Sequence, residues 1–118
     1  MSFEYTDTQE EIREAVRRLC QSYGPDYWRE CDEAGDYPEA FVKAMTDAGW
    51  LGALIPENYG GSGLGVLDAC LILQEINRAG GNGASCHAQM YTMASILNHG
   101  SEAQKQKYLH RIADGSLR

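Results

Sequence analysis

The side chains best equipped for chemistry are scattered along this chain, and their spacing limits what they can do. Three histidines, His87, His99 and His110, and four cysteines, Cys20, Cys31, Cys70 and Cys86, are the candidate metal ligands and nucleophiles. The cysteines stand 11, 39 and 16 residues apart with no Cys-x-x-Cys pair. That spacing writes neither a zinc knuckle nor the dense disulfide framework of a small secreted domain. The histidines are too widely separated for a short metal motif, and no carboxylate lies between Gly83 and His99 to complete a site around His87. No serine or cysteine is paired with a histidine and an acid in a nucleophilic arrangement. The paired acids Glu10-Glu11-Glu14 and Asp32-Glu33 read as solvated helix faces. From the residues themselves, neither a catalytic group nor a metal site is expected.

Two features remain. Ile55-Pro56-Glu57-Asn58-Tyr59-Gly60-Gly61-Ser62-Gly63-Leu64-Gly65 invites comparison with a phosphate loop. Starting at Gly61-Ser62-Gly63, however, the third glycine of a dinucleotide fingerprint falls on Val66, and no Lys follows to make a P-loop. A tight, left-handed connection that lets helices approach is the reading that survives. The second feature is the segment 83–99, where Cys86, Met90, Met93 and Leu97 step by 4, 3 and 4 as a core stripe. Ala84, His87, Ala88 and Tyr91 form a second stripe, with His87 and Tyr91 one turn apart on one face. Two buried-looking faces suit either a helix that covers something outside the domain or a central helix surrounded by its own neighbours. His87 is then either a pocket residue or a hydrogen-bonded core histidine.

The elements that must position these residues are helical. Thr6 and Gln9 form a capping box ahead of Ile12, Ala15, Val16, Leu19 and Cys20, and Gly24-Pro25 closes that segment. Pro25 opens a second helix carrying Tyr27, Trp28 and Cys31 toward Gly35. Pro38 opens a third, with Phe41, Val42, Met45 and Ala48 on one face and Gly49 as its stop. Val66–Ala79 is a fourth, apolar around most of its circumference, and 83–99 is the fifth. Ser101 and Gln104 form a second capping box that opens a last helix before Gly115. No segment sustains a period of two. The expected fold is all-α, a bundle of about six helices in one domain spanning residues 1–118.

Composition sets outer bounds. Ten Lys+Arg against seventeen Asp+Glu give a net charge of −7, which disfavours nucleic acid and anionic membrane surfaces as partners. Residues 1–39 carry eleven acids and four bases, whereas residues 100–118 carry two and four. Hydrophobic residues make up 43% and charged residues 23%, an ordinary soluble composition, with no run near the roughly 20 apolar residues of a membrane helix. Met1–Asp7 reads as neither a signal peptide nor a transit peptide, so a cytoplasmic protein with reduced cysteines is expected.

Taken in order, several stretches are similar to a known family. They are Trp28-Arg29-Glu30-Cys31-Asp32-Glu33-Ala34-Gly35-Asp36-Tyr37-Pro38, Ala48-Gly49-Trp50-Leu51-Gly52, the glycine-rich run, Gln74-Glu75-Ile76-Asn77-Arg78, Gly100–Leu109 and Ile112-Ala113-Asp114-Gly115. Together they resemble the N-terminal helical domain of the acyl-CoA dehydrogenases over nearly the whole chain. The resemblance implies a flavoprotein oxidoreductase of fatty acid metabolism with a middle β domain and a C-terminal four-helix bundle, assembled as a homotetramer. It implies that a carboxylate base takes the α-proton of an acyl-CoA while the β-hydride passes to FAD, and that electrons leave through an electron-transferring flavoprotein.

The family's flavin-side Thr-Glu-Pro motif and its catalytic glutamate belong to parts not represented here. The chain is accordingly expected to be one domain of a longer three-domain enzyme, inactive and without bound FAD on its own, and prone to self-association. No catalytic residue and no flavin ligand is assigned to it. The resemblance makes Ala84, His87, Ala88 and Tyr91 the substrate-binding residues, as the tail end of the acyl pocket. The family often has Asn-Ser where this chain has Gln89-Met90, and Pro where it has Ser95. His87 and Tyr91 imply a shorter, more polar pocket end than a long-chain enzyme has. A stand-alone helical interaction module, or a flavin-dependent acyl-CoA oxidase or monooxygenase of similar fold, are the alternatives.

Overall fold

Two reciprocal caps start the helices that bracket the chain. In the computed structural model, which describes residues 4–118, the Gln9 N–H donates to the Thr6 hydroxyl at 3.2 Å and the Thr6 N–H to Gln9 Oε1 at 3.0 Å. Gln104 and Ser101 repeat the exchange at 3.2 and 2.8 Å. Each box satisfies amide donors that a helix start otherwise leaves bare. The helices so opened are α1 (Asp7–Cys20) and α6 (Glu102–Ala113). Between them run α2 (Pro25–Ala34), α3 (Glu39–Asp47), α4 (Val66–Arg78) and α5 (Ala84–His99), with single 3-10 turns at Trp50–Gly52 and Glu57–Tyr59. No strand occurs among the described residues, and the six-helix all-α expectation stands.

Local rules place most of the ends. Pro25 occupies the first turn of α2, where its missing N–H leaves no hydrogen bond unmade, and Gly35 ends that helix in the left-handed region at φ 68°. Pro38 sits one place further out than expected, as the residue that caps α3 from outside.

The molecule is a slab of 43 × 41 × 19 Å, about two helix diameters thick. α1 packs on α4, and α5 on α6, with α3 and the 3-10 turns filling the space between. Val16, Met45, Ile72, Ile76, Met93 and Leu109 are fully buried where these elements meet. Three inward placements differ from the helical spacing. Ala15 and Ala48 are exposed, and on α3 the inward place near its C-terminus belongs to Thr46, whose hydroxyl donates to the Val42 carbonyl at 2.8 Å. The buried hydroxyl is thereby satisfied within its own helix. On α4 the apolar surplus is real but uncovered, since Val66 is 72% and Leu67 56% exposed.

Among the described residues one charge lies inside. Glu75 on α4 is 1% exposed and faces two guanidinium groups of α1. Arg13 Nε donates to Oε1 at 2.8 Å, and Arg17 donates through Nε to Oε2 and through Nη2 to Oε1, both at 3.3 Å. Burial alone raises the carboxyl's pKa, but hydrogen bonds from Arg17 and Arg13 outweigh it and the net direction is downward. A carboxyl with a lowered folded-state pKa stabilises the fold above the unfolded value, about 4.3, and loses that contribution as pH falls through the lower folded value. Glu75→Gln is therefore expected to destabilise by about 3 kcal/mol at neutral pH, because Arg13 remains desolvated without its counter-charge. The penalty should shrink progressively in urea denaturation series taken below about pH 4.

Candidate functional site

α5 contains no Asp, Glu, Lys or Arg in its 16 residues, unlike α1, α2 and α6. Its inner row is Cys86, Met90 and Met93, all buried, with Leu97 half-buried beyond them. Burial pushes the Cys86 thiol up to about 11, so this cysteine is a packing residue with negligible thiolate at neutral pH. Cys20 is raised by burial as well, and all four cysteines are free.

The other row is open. Ala84, His87 and Tyr91 are exposed and Ala88 is half-buried. His87 and Tyr91 meet edge to face, their ring centroids 5.4 Å apart at 75°. His87 is thus not a buried core histidine, and this face of α5 is not enclosed by the chain's own helices. An exposed 16-residue helix without a formal charge, displaying small and aromatic side chains, is built to be covered.

Beside this row, α5 and α6 bound a groove of about 620 Å³ lined by Ala88, Thr92, Ser95, Ile96 and Tyr108 among others. Two of its hydroxyls are engaged with their own helix: Thr92 Oγ1 donates to the Ala88 carbonyl at 2.8 Å and Ser95 Oγ to the Tyr91 carbonyl at 2.9 Å. At those two positions the groove is less polar than its residue types suggest. In the sequence Gln89 stands out only as a departure from the family pattern. In the fold it donates Nε2 to the Leu117 carbonyl at 3.3 Å and ties residues 115–118 against α5.

The glycine-rich run joins α3 to α4 and packs beneath α6. Gly60 and Gly63 take φ of 87° and 62°, and a Cβ on Gly61 would lie 2.0 Å from the Ile55 carbonyl oxygen. Its amides are already engaged. Ser62 N–H donates to Gly52 O at 3.1 Å, and Gly63 N–H to Ile55 O and Leu64 N–H to Ala53 O, both at 2.8 Å. A loop whose donors point inward offers no cradle for a phosphate or a flavin pyrophosphate. Tyr59 fastens it to α6, donating its phenol to Glu102 at 2.5 Å while its ring meets His110 edge-on at 5.9 Å. That bond raises the Tyr59 pKa and holds the Glu102 carboxyl low. Among the described residues no group of three His, Cys, Asp or Glu is placed to hold a metal, and no helix is long and apolar enough to cross a membrane.

The fold recurs in known proteins. The family described as acyl-CoA dehydrogenase, N-terminal domain, matches residues 6–116. The mitochondrial isovaleryl-CoA dehydrogenase of Oryza sativa is 34% identical over 116 residues, covering 94% of this chain and 28% of that protein. The structure of butyryl-CoA dehydrogenase from Megasphaera elsdenii superposes with a TM-score of 0.82 at 25% identity, over 98% of this chain and 32% of that one. A structure described as the electron transferring flavoprotein of Acidaminococcus fermentans gives 0.84 at 29% identity, over 98% and 31%. The chain thus spans under a third of the length of the proteins it matches.

The two kinds of position separate in stability. His87→Ala and Tyr91→Ala are expected to change the unfolding free energy of the 118-residue chain by less than about 0.5 kcal/mol, because both side chains are exposed. Gly61→Ala is expected to cost about 3 kcal/mol, since the added methyl displaces the Ile55 carbonyl and the loop hydrogen bonds around it. Urea midpoints of the three variants check both statements.

Proposed function

The chain belongs to the acyl-CoA dehydrogenase family, as its N-terminal domain, and from that premise we propose that it forms the acyl-side wall of an enzyme that desaturates an acyl-CoA thioester. The observation that carries this reading is the open row Ala84, His87, Ala88 and Tyr91 on α5, a helix without Asp, Glu, Lys or Arg. An apolar acyl chain gains from burial against such a face, about 0.8 kcal/mol per methylene, and loses nothing to desolvated charge. The rigid inner row of Cys86, Met90 and Met93 holds that face in place.

In this reading residues 1–118 are one domain of a longer three-domain protein, in keeping with their covering under a third of the relatives' length. The family implies a flavin. We take it to be FAD, which when bound supplies the hydride acceptor for the substrate's β-carbon. The residues described here do not fit that group, because the glycine-rich amides are engaged internally, so FAD and the α-proton base are assigned to the other domains. What this chain contributes is orientation and the exclusion of water from the acyl tail. Electron-transferring flavoprotein as acceptor, a homotetrameric assembly and a cytoplasmic location complete the proposal. Four free cysteines suit a reducing compartment.

His87 and Tyr91 set the depth of the wall. The names isovaleryl-CoA and butyryl-CoA among the similar proteins both denote short acyl groups. The enzyme as its gene encodes it should oxidise short acyl-CoAs with a dye acceptor. His87→Ala and Tyr91→Ala should each move the optimum longer by one or two carbons, with each added methylene worth about 0.8 kcal/mol in the ratio of kcat/KM. A ratio of short- to long-chain kcat/KM unchanged in both variants would remove the assignment of this face to the acyl tail.

A further inference from the structure

Residues 115–118 follow α6 as an irregular segment, yet they are held at several points. Gly115 takes φ 80°, and a Cβ there would lie 2.7 Å from Thr46 Cγ2, so the segment runs close against α3. The Leu117 N–H donates to the Arg111 carbonyl at 2.9 Å, and the Arg118 guanidinium to Glu39 at 2.5 Å. Those contacts anchor the segment to α6 and α3. Its anchor to α5 is Gln89.

Gln89 is half-buried on α5, next in sequence to Ala88 of the open row. Its Nε2 donates to the Leu117 carbonyl at 3.3 Å and to the Ile112 carbonyl at 3.5 Å. A carboxamide nitrogen carries two hydrogens, so one side chain serves both carbonyls. Thr92 and Ser95 direct their hydroxyls to carbonyls of α5 itself, whereas Gln89 reaches out of the helix. Packing alone does not require this, because an unbranched methionine fills similar space without a donor. The consequence is geometric. Ala88 and Gln89 are consecutive residues of one helix, so a single side chain fixes the open row relative to residues 112–118.

We propose that Gln89 is a positioning residue that couples the acyl wall on α5 to residues 112–118. A ligand settling on Ala88 and its row thereby steadies that segment, and the segment in turn holds the wall in place. The inference rests on the reading of α5 as the acyl wall. It adds a residue outside the open row that sets where the wall stands. Such placement matters to rate, since a shift of about 1 Å introduced far from the reacting atoms costs on the order of a hundredfold.

The test is hydrogen exchange of the enzyme as its gene encodes it, with and without butyryl-CoA and with no electron acceptor present. In the wild type, butyryl-CoA is expected to slow amide exchange in residues 84–91 and, by at least about threefold, in residues 112–118. Gln89→Met keeps the length, and Gln89→Glu keeps the shape but at neutral pH only accepts. Both should retain the first effect and lose the second. With a dye acceptor both should lower kcat by about tenfold and leave KM within about twofold. Either variant carries the test if the other does not fold, and the wild-type exchange needs neither. If butyryl-CoA protects no part of residues 84–91, the acyl-wall reading falls and this proposal with it. If it protects 84–91 but not 112–118, or the variants keep the protection of 112–118, the wall stands and coupling through Gln89 is overturned. A kcat within about twofold of wild type in both variants, or a loss carried by KM instead, overturns the positioning role.

Discussion

A slab 19 Å thick leaves every helix in it with one face that the domain itself does not cover. Two helix layers bury only the surfaces that meet, so the outer faces must be either solvated or occupied by something else. Most of them are solvated. α1 carries Glu10, Glu14 and Arg18 outward, paired among themselves or with Arg13, and α2 carries Asp26 bonded to Arg29. Those pairs contribute little stability but keep the surface wet. α5 has no such residues, and its outer face is where the slab is open to a ligand or to further protein. The rest of the structure serves to hold that one helix with its inner row down and its outer row free.

Glu75 is the polar counterpart of that arrangement. With Arg13 and Arg17 it locks α1 to α4 across 62 and 58 residues of sequence, and among the described residues it is the one buried carboxylate. An ion pair of this kind adds little net stability against an apolar substitute, but it penalises any slip of one helix along the other, because a slip strands a desolvated charge. α4 in turn touches α5, so the register of the clamp passes to the helix that bears the open face.

The parts of this fold that were legible in the sequence are those written within four residues. The boxes at Thr6–Gln9 and Ser101–Gln104, the proline of α2 and the glycine stops at Gly35 and Gly49 are local geometry, and the inner row of α5 follows from helical period alone. What was not legible depends on partners far away. Helical spacing places Ala15 and Ala48 inward, but which side of each helix meets a neighbour is set by tertiary packing, and both are exposed. Glu75 reads as one letter of a motif until Arg13 and Arg17 arrive beside it. The candidate site divides in the same way. The pairing of His87 with Tyr91 was visible as a spacing of four, whereas their exposure, and the bond from Gln89 to Leu117, required the fold.

Polarity by residue type is a poor guide to the chemistry of either opening beside α5. Thr92 and Ser95 look like hydrogen-bonding residues, yet each closes onto a carbonyl four residues back and shows its neighbours only carbon. Ser85 lies at the second position of the same helix, where four residues back is Gly81, before the helix begins, so the same back-bond has no helical carbonyl to reach. Its hydroxyl is instead closed off from solvent, beside the Tyr37 phenol of the α2–α3 loop. Position along one helix thus decides where a hydroxyl finds its neighbours. At Thr92 and Ser95 the groove is less polar than its residue types suggest, while Gln104, His99 and Arg118 supply its polar rim.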